Sequence, residues 1–130
     1  SLMSIIYYEN LGNLYERSLR IKKLSEIIAE KLDYKIEKFS NYLIFSNIDL
    51  TSEVVKEYPS LQGLAGGFYA KKFGFPKDVQ DAFSHQYKIS LFRKEVDLSI
   101  VLSLAQKTDS IFSFFSSKKK NFWIRRSFWN

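Results

Sequence analysis

The stretch LGNLYERSLRIKKLSEIIAEKL, residues 11–32, decides the fold class of this 130-residue chain. Its large apolar residues recur at helical spacing and form one stripe, which consists of Leu14, Ile21, Leu24, Ile28 and Leu32 and is widened by Ile27. Charged residues fill most of the other positions, and Glu16 precedes Arg20 by four residues, which is the favourable order for an ion pair on a helix. The pattern predicts one long amphipathic helix that begins near Gly12 and Asn13.

The region after this helix predicts two shorter ones. Asp33 can cap a second helix over about residues 34–47, because its side chain can accept a hydrogen bond from a free backbone N–H. Within it, residues 42–45 read Tyr-Leu-Ile-Phe and have enough β propensity to form a short strand instead. A third helix is predicted over residues 49–57, and it ends before Pro59 because a residue that precedes proline avoids helical geometry.

Three glycines, Gly63, Gly66 and Gly67, fall within a fourth predicted helix over residues 60–73. Each costs roughly 1 kcal/mol relative to alanine inside a helix, so another interaction must offset the cost. Close approach of a neighbouring helix is one explanation, and close approach of an RNA backbone is the other. The large apolar residues around the glycines favour packing. The spacing is not a dinucleotide-binding fingerprint, because the preceding strand and the third glycine of that motif are missing.

The remainder of the chain completes an all-α pattern. Gly74 is a plausible helix stop and Pro76 a helix start. Helices are predicted over residues 78–87 and, with a strongly apolar face, over residues 98–115. No repeat or linker divides the sequence. We therefore expect a single all-α domain over residues 1–130, a compact bundle of six to seven helices.

Composition excludes several classes of enzyme. The chain has no cysteine and one histidine, His85, so disulfide frameworks, thiolate metal sites and most Ser-His-Asp or metal-hydrolase schemes are excluded. No Walker lysine loop or nucleophile elbow is present. Asp109 lies inside an apolar pattern, where it either pairs with a cation from elsewhere or ligates a metal. We predict no catalytic residue, no metal site and, since no apolar run approaches about 18 residues, no membrane span.

The C-terminal end is basic and aromatic. From Ser110 onward the chain has no acid, and its five cations are Lys118, Lys119, Lys120, Arg125 and Arg126. Aromatic residues beside arginines can stack on RNA bases and bind phosphates. They can equally form the apolar face of a helix whose packing partner has been cut away. Arg17 and Arg20 are weaker candidates for phosphate contacts.

Three blocks of the sequence resemble the β subunits of bacterial glycyl-tRNA synthetases. The first is YENLGNLYERSLRI at residues 8–21, and the second is IDLTSEVVKEYPSLQGLAGGFYA at residues 48–70. The third is LAQKTDSI at residues 104–111, followed by FWIRR at residues 122–126. The second block, which contains Asp49, Gln62 and the three glycines, is the most specific. The sequence departs from the family pattern at Gln106, where the family has an acid, and at Lys120-Asn121, where it has an acid and a proline.

The resemblance implies a fold, a process and partners. It implies a central domain of HD-like helical fold, a fragment of a longer subunit of glycine–tRNA ligase, an aminoacyl-tRNA synthetase of the cytoplasm. In this family the α subunit uses ATP to activate glycine, so no cofactor is expected here. The expected partners are the glycine tRNA and the α subunit, in an α2β2 assembly. Structural roles are expected for Gly63, Gly66, Gly67, Gln62, Asp49 and Asp109.

Two functional hypotheses follow from these observations. In the first, the domain does no chemistry itself and contacts tRNA through its cationic residues, near the acceptor arm of the tRNA. In the second, it is a structural scaffold that packs on other domains or on the α subunit and touches no RNA.

Overall fold

Two long helices and a set of short ones make up the computed structural model, which describes residues 2–88 and 95–129, with side chains for residues 14–52, 55–88 and 95–115. The long helices are α1 (Leu2–Lys31) and α5 (Leu98–Trp129). Between them lie three 3-10 helices, at Ser40–Phe45, Ile48–Thr51 and Pro59–Leu61, and the helices α2 (Glu53–Glu57), α3 (Leu64–Lys72) and α4 (Lys77–His85). The described residues contain no strand, so the prediction of an all-α chain is confirmed.

Helices α1 and α5 pack against each other through small residues. Buried positions on α1 recur every three or four residues, at Ser18, Ile21, Ser25 and Ala29. Tyr34, just after α1, lines the same groove as Leu98 at the start of α5, whereas Arg20 in the middle of α1 bonds Asp109 further along α5. The two helices therefore run antiparallel. Three of these four buried residues of α1 are small.

Helix α4 and an aromatic cluster fill the centre of the core. Val79, Ala82 and Phe83 of α4 are fully buried. The ring of Phe75, in the turn before α4, lies 4.9 Å from that of Tyr42 and 6.3 Å from that of Phe83, measured between centroids. Burial of apolar side chains such as these stabilises the fold by about 25 cal/mol for each Å² of apolar surface. Among the described residues, no helix is both long and apolar enough to cross a membrane.

The predicted second helix, residues 34–47, is wrong, and so is the alternative strand within it. Residues 40–45 form a 3-10 helix, and Asp33 caps no helix. Asp33 instead adopts a left-handed conformation with φ of 56°, and it ends α1. Tyr34 N–H donates to Ala29 O and Asp33 N–H to Glu30 O, the two hydrogen bonds of a Schellman motif. Asp33 thus takes the position that glycine usually occupies.

Other helix boundaries also differ from the prediction. Helix α1 starts at Leu2 and runs through Gly12 and Asn13, and α5 continues past residue 115 to Trp129. Residues 49–57 are divided between a 3-10 helix and α2, because Ser52 is extended. Gly74, by contrast, ends α3 as predicted: its φ is 76°, and Phe75 N–H donates to Ala70 O in a second Schellman motif.

Candidate functional site: a buried polar network beside a glycine-rich helix

A fully buried carboxylate, that of Asp49, anchors the second 3-10 helix to the start of α3. Its Oδ2 accepts a 2.8 Å hydrogen bond from Gly63 N–H, and its Oδ1 accepts a 3.0 Å hydrogen bond from the Tyr87 hydroxyl. Burial raises the pKa of Asp49 above its ordinary value, although these hydrogen bonds act in the opposite direction. Burial, together with the charge of Asp49, also raises the pKa of Tyr87 far above the usual phenol range. The Tyr87 hydroxyl therefore keeps its proton and donates it in the hydrogen bond to Asp49.

Three buried amide side chains, Asn47, Gln86 and Gln106, form a group that we call the amide network. Gln106 Nε2 donates to Asn47 Oδ1 at 3.1 Å and to Gln86 Oε1 at 2.7 Å. Gln86 Nε2 donates to the backbone oxygen of Ser46 at 2.6 Å, and Asn47 Nδ2 donates to the Tyr87 hydroxyl at 3.3 Å. The amide network therefore ties α5 to the end of α4 and to the 3-10 segment that carries Asp49. Such hydrogen bonds offset the cost of burying polar groups.

An arginine pair lies at the edge of the amide network. Arg20 donates to both oxygens of Asp109, from Nε at 2.7 Å and from Nη2 at 3.3 Å. Arg17 Nη2 donates to Gln106 Oε1 at 3.1 Å, and Arg17 Nε lies 3.6 Å from Asp109 Oδ2 without a hydrogen-bond partner. The hydrogen bonds that Arg20 donates to Asp109 raise the pKa of Arg20. The buried Asp109 carboxylate orients both arginines. Their side chains remain partly exposed, 28% for Arg17 and 50% for Arg20.

The glycines of the second block allow α3 to pack closely against Asp49 and α4. Gly63 precedes α3 with φ of 89° and ψ of −62°, so the prediction that it lies inside the helix is wrong. A Cβ on Gly66 would lie 3.4 Å from Asp49 Cβ, in ordinary contact. A Cβ on Gly67 would collide with the hydroxyl of Ser84 on α4 and lie 3.1 Å from Gln80 O. Close helix packing, the first of the two sequence-based explanations, is what the geometry shows at Gly67.

The opposite face of α3 carries large exposed residues. Leu64 is 63% exposed and Phe68, one turn later, is 64% exposed. Lys71 and Lys72 follow in the last turn and are also exposed. We call this set the outer α3 surface: Leu64, Phe68, Lys71 and Lys72. Two large residues in the segment before α3 are also exposed. Tyr58 is 58% exposed and Leu61 37% exposed.

The remaining predicted residues are the C-terminal cations and Gln62. The backbone at Lys118, Lys119, Lys120, Arg125 and Arg126 continues α5, and their side chains fall outside the described residues. Gln62 is exposed, and its side chain hydrogen-bonds Tyr87.

Metal chemistry has no support in the part of the chain that the structure describes. That part contains no group of three or more His, Asp or Glu side chains that could hold a metal ion. His85 is exposed, and its Nδ1 lies 2.8 Å from the backbone oxygen of Asp81. Asp109 pairs with the two arginines, which is the first of the two roles considered for it.

Sequence reasoning missed the amide network. Asn47 and Gln86 follow no periodic signal, because each is buried by segments distant in sequence. Gln106 did carry a signal, since it occupies a position on the buried face of α5 between Leu102 and Asp109. A polar residue on an otherwise buried helix face requires a polar partner.

The family model for the glycyl-tRNA synthetase beta subunit matches residues 1–121. The chain belongs to this family. The matched range includes Asp49, the glycines of α3, the arginine pair and Asp109.

Individual relatives agree with the family model. The chain is similar to the glycine–tRNA ligase beta subunit of Thermodesulfovibrio yellowstonii, with 40% identity over 115 residues, which is 85% of this chain and 17% of that protein. The beta subunit of Aquifex aeolicus is 34% identical over 119 residues, which is 89% of this chain and 18% of that protein. A Buchnera aphidicola beta subunit is 35% identical over 135 aligned positions, covering 97% of this chain and 20% of that protein. The chain therefore spans about a fifth of the length of these beta subunits.

Proposed function

We propose that this chain serves the attachment of glycine to its tRNA as a domain that does no chemistry itself and contacts the tRNA. The observation that carries the proposal is the family match over residues 1–121, together with relatives that are glycine–tRNA ligase beta subunits. The partners we propose are the glycine tRNA and the synthetase α subunit, in an α2β2 assembly in the cytoplasm. ATP and glycine would be used by the α subunit.

The buried network supports a role without catalysis. A general acid or base must reach a substrate proton within about 3 Å, or through one water. Asp49 is fully buried and bonded by Gly63 and Tyr87, and Asp109 is held by the arginine pair. These carboxylates are occupied in holding helices together, so they support the fold of a binding domain.

The arginine pair supports contact with phosphates. A guanidinium group has five N–H donors, and Asp109 receives two of those of Arg20. The remaining donors of a half-exposed, already oriented arginine can bind a phosphate at a lower entropic cost. We propose that the cations of the C-terminal run, at residues 118–120 and 125–126, also bind phosphates of the RNA. Such contacts are salt-dependent and largely independent of sequence.

The scaffold hypothesis also has an observation in its favour. Four large apolar residues of α5 are 53–66% exposed: Ile111, Phe112, Phe114 and Phe115. An exposed apolar cluster of this kind is typical of a surface that packs against protein. We therefore keep the scaffold as the second candidate function.

Charge reversal of the basic run separates the two candidates. Replacement of Lys118, Lys119 and Lys120 by glutamate is predicted to weaken binding of a glycine tRNA transcript by at least tenfold at about 0.1 M salt, because phosphate contacts are lost. The salt dependence of the affinity should also become less steep, by about 0.7–0.9 logarithmic units for each contact. Fluorescence anisotropy over a salt series measures both quantities.

A matched control carries the same change of charge elsewhere. Lys31, Lys35 and Lys38 are exposed near the end of α1, and their replacement by glutamate should leave the salt dependence nearly unchanged. If both triple variants bind the tRNA as the wild type does, while the basic-run variant impairs assembly with the α subunit, the scaffold hypothesis is correct.

A further inference from the structure

Helix α3 has its small residues toward the protein and its large ones toward the outside. Gly66, Gly67 and Ala70 are buried, whereas Leu64 and Phe68 are among the most exposed apolar residues of the described chain. A surface helix ordinarily buries its large apolar residues. The glycines allow α3 to lie against Asp49 and Ser84. Leu64 and Phe68 contribute little to the packing of this domain, because their side chains are mostly exposed.

The ring of Phe68 is held in place by its neighbour. Phe68 and Tyr69 pack edge to face, with ring centroids 5.9 Å apart and an interplanar angle of 67°. The Tyr69 hydroxyl donates to Ser52 Oγ at 3.2 Å, which fixes Tyr69 to the segment before α2. Phe68 therefore presents a supported aromatic ring to the outside, and a supported ring loses little entropy when a planar group stacks on it.

Cations stand beside this ring on the same helical face. Lys71 and Lys72 are three and four residues after Phe68, so they lie within one helical turn of it. Leu64 lies one helical turn before Phe68 and extends the exposed apolar surface on the other side of the ring. Aromatic rings beside lysines match the two chemical parts of an unpaired nucleotide, which are the base face and the phosphate.

We propose that the outer α3 surface binds unpaired nucleotides of RNA, with a base stacked on Phe68 and phosphates bound by Lys71 and Lys72. This inference rests on the proposed tRNA contact and assigns it a second surface, separate from the arginine pair. RNA is favoured over a protein partner because lysine is depleted in protein interfaces, whereas the charge of exposed lysines is complementary to any phosphate backbone.

Stacking of a base on Phe68 is tested by replacing Phe68 with other apolar residues. The probes are an octamer of uridylate, a blunt RNA duplex and a glycine tRNA transcript, each titrated by fluorescence anisotropy against the full chain. Phe68→Leu is expected to weaken binding of the octamer about tenfold and to leave binding of the duplex unchanged, because only the octamer has bases free to stack. Phe68→Trp should retain or strengthen binding of the octamer.

A double variant tests the role of the two lysines, and a substitution on another helix is the control. Replacement of both Lys71 and Lys72 by glutamate should weaken binding of the octamer and reduce its salt dependence. Ile27→Ala on α1 is the control for loss of exposed apolar surface, because the Ile27 side chain is 46% exposed. This variant should bind the octamer and the duplex as the wild type does.

The outcomes distinguish this inference from the proposed function. If the wild-type chain binds the tRNA and Phe68→Leu binds the octamer as tightly as the wild type, the outer α3 surface is not an RNA site, while the tRNA contact stands. If Phe68→Leu impairs assembly with the α subunit and leaves RNA binding intact, the surface binds protein and the inference is wrong. If the wild-type chain binds none of the three RNAs, both the proposed tRNA contact and this inference fail.

Discussion

The two faces of α3 are built from opposite kinds of residue. The inner face has Gly66, Gly67 and Ala70, and it lies against Asp49 and Ser84. The outer face has Leu64, Phe68 and two lysines, and it is exposed. The inner face therefore serves the fold, because only small residues fit there, whereas the fold does not require the apolar and cationic residues of the outer face. Substitutions on the two faces should therefore affect different quantities.

The largest effect is expected at Gly63, where backbone strain and lack of space act together. Gly63→Ala should reduce the free energy of unfolding by about 3 kcal/mol, because φ is 89° and the new Cβ would lie 2.8 Å from the backbone oxygen of Ser84. Gly74→Ala is the matched control, since φ there is 76° but the new Cβ would meet nothing within 4 Å. Its cost should be only about 1–2 kcal/mol. Urea unfolding of both variants measures the difference, and equal losses would show that the contact with Ser84 is unimportant.

A pair of neighbouring substitutions tests the inner face itself. Gly67→Ala should cost about 1–2 kcal/mol, because the methyl group displaces the Ser84 hydroxyl from its hydrogen bond with Gln80 O. Gly66→Ala meets only ordinary contacts with Asp49 and gains helix propensity, so it should be neutral or stabilising by up to about 1 kcal/mol. Thermal unfolding of the two variants gives the comparison. A stabilised Gly67→Ala would contradict the close approach of α3 and α4.

A smaller effect on the inner face depends on pH. The pKa of Asp49 is raised by burial above 3.8, so the folded state binds a proton more tightly than the unfolded state. Stability from this group is present at low pH and is lost as the pH rises from about 4 through the raised pKa. Asp49→Asn should remove this dependence of the free energy of unfolding on pH. The stability lost by the variant relative to the wild type should therefore be smaller at pH 7 than at pH 4. Urea unfolding at several pH values measures this, and parallel curves would exclude a raised pKa.

The smallest effect on stability is expected on the outer face. Phe68→Ser should change the free energy of unfolding by less than about 0.5 kcal/mol, because the side chain is 64% exposed. Urea unfolding checks this value. A loss above 2 kcal/mol would mean that Phe68 belongs to the core, and the contrast between the two faces would then disappear.

The sequence-based predictions were correct where structure depends on residues close in sequence, and wrong where it depends on distant ones. The existence of helix α1 and the end of α3 at Gly74 were predicted because they depend on neighbours within a few residues. The predicted apolar stripe of α1 was correct only in part, since Ile27 and Leu32 are 46% and 40% exposed. The segment at residues 34–47 was not, since its aromatic residues pack on Phe75 and the tertiary contact overrides local propensity. Asp33 in the left-handed conformation was equally unexpected, although aspartate tolerates it better than most residues.

Composition and local periodicity were enough to predict the all-α class and the importance of the glycine-rich block, and the lack of cysteine excludes thiol chemistry. These conclusions depend on residue types and on periods that the chain carries locally. Only the tertiary structure decided that Asn47, Gln86 and Gln106 meet, that Asp109 holds two arginines from another helix, and which face of α3 is left outside. Those contacts join residues up to 89 positions apart, and their geometry is set by how whole helices pack rather than by any local pattern.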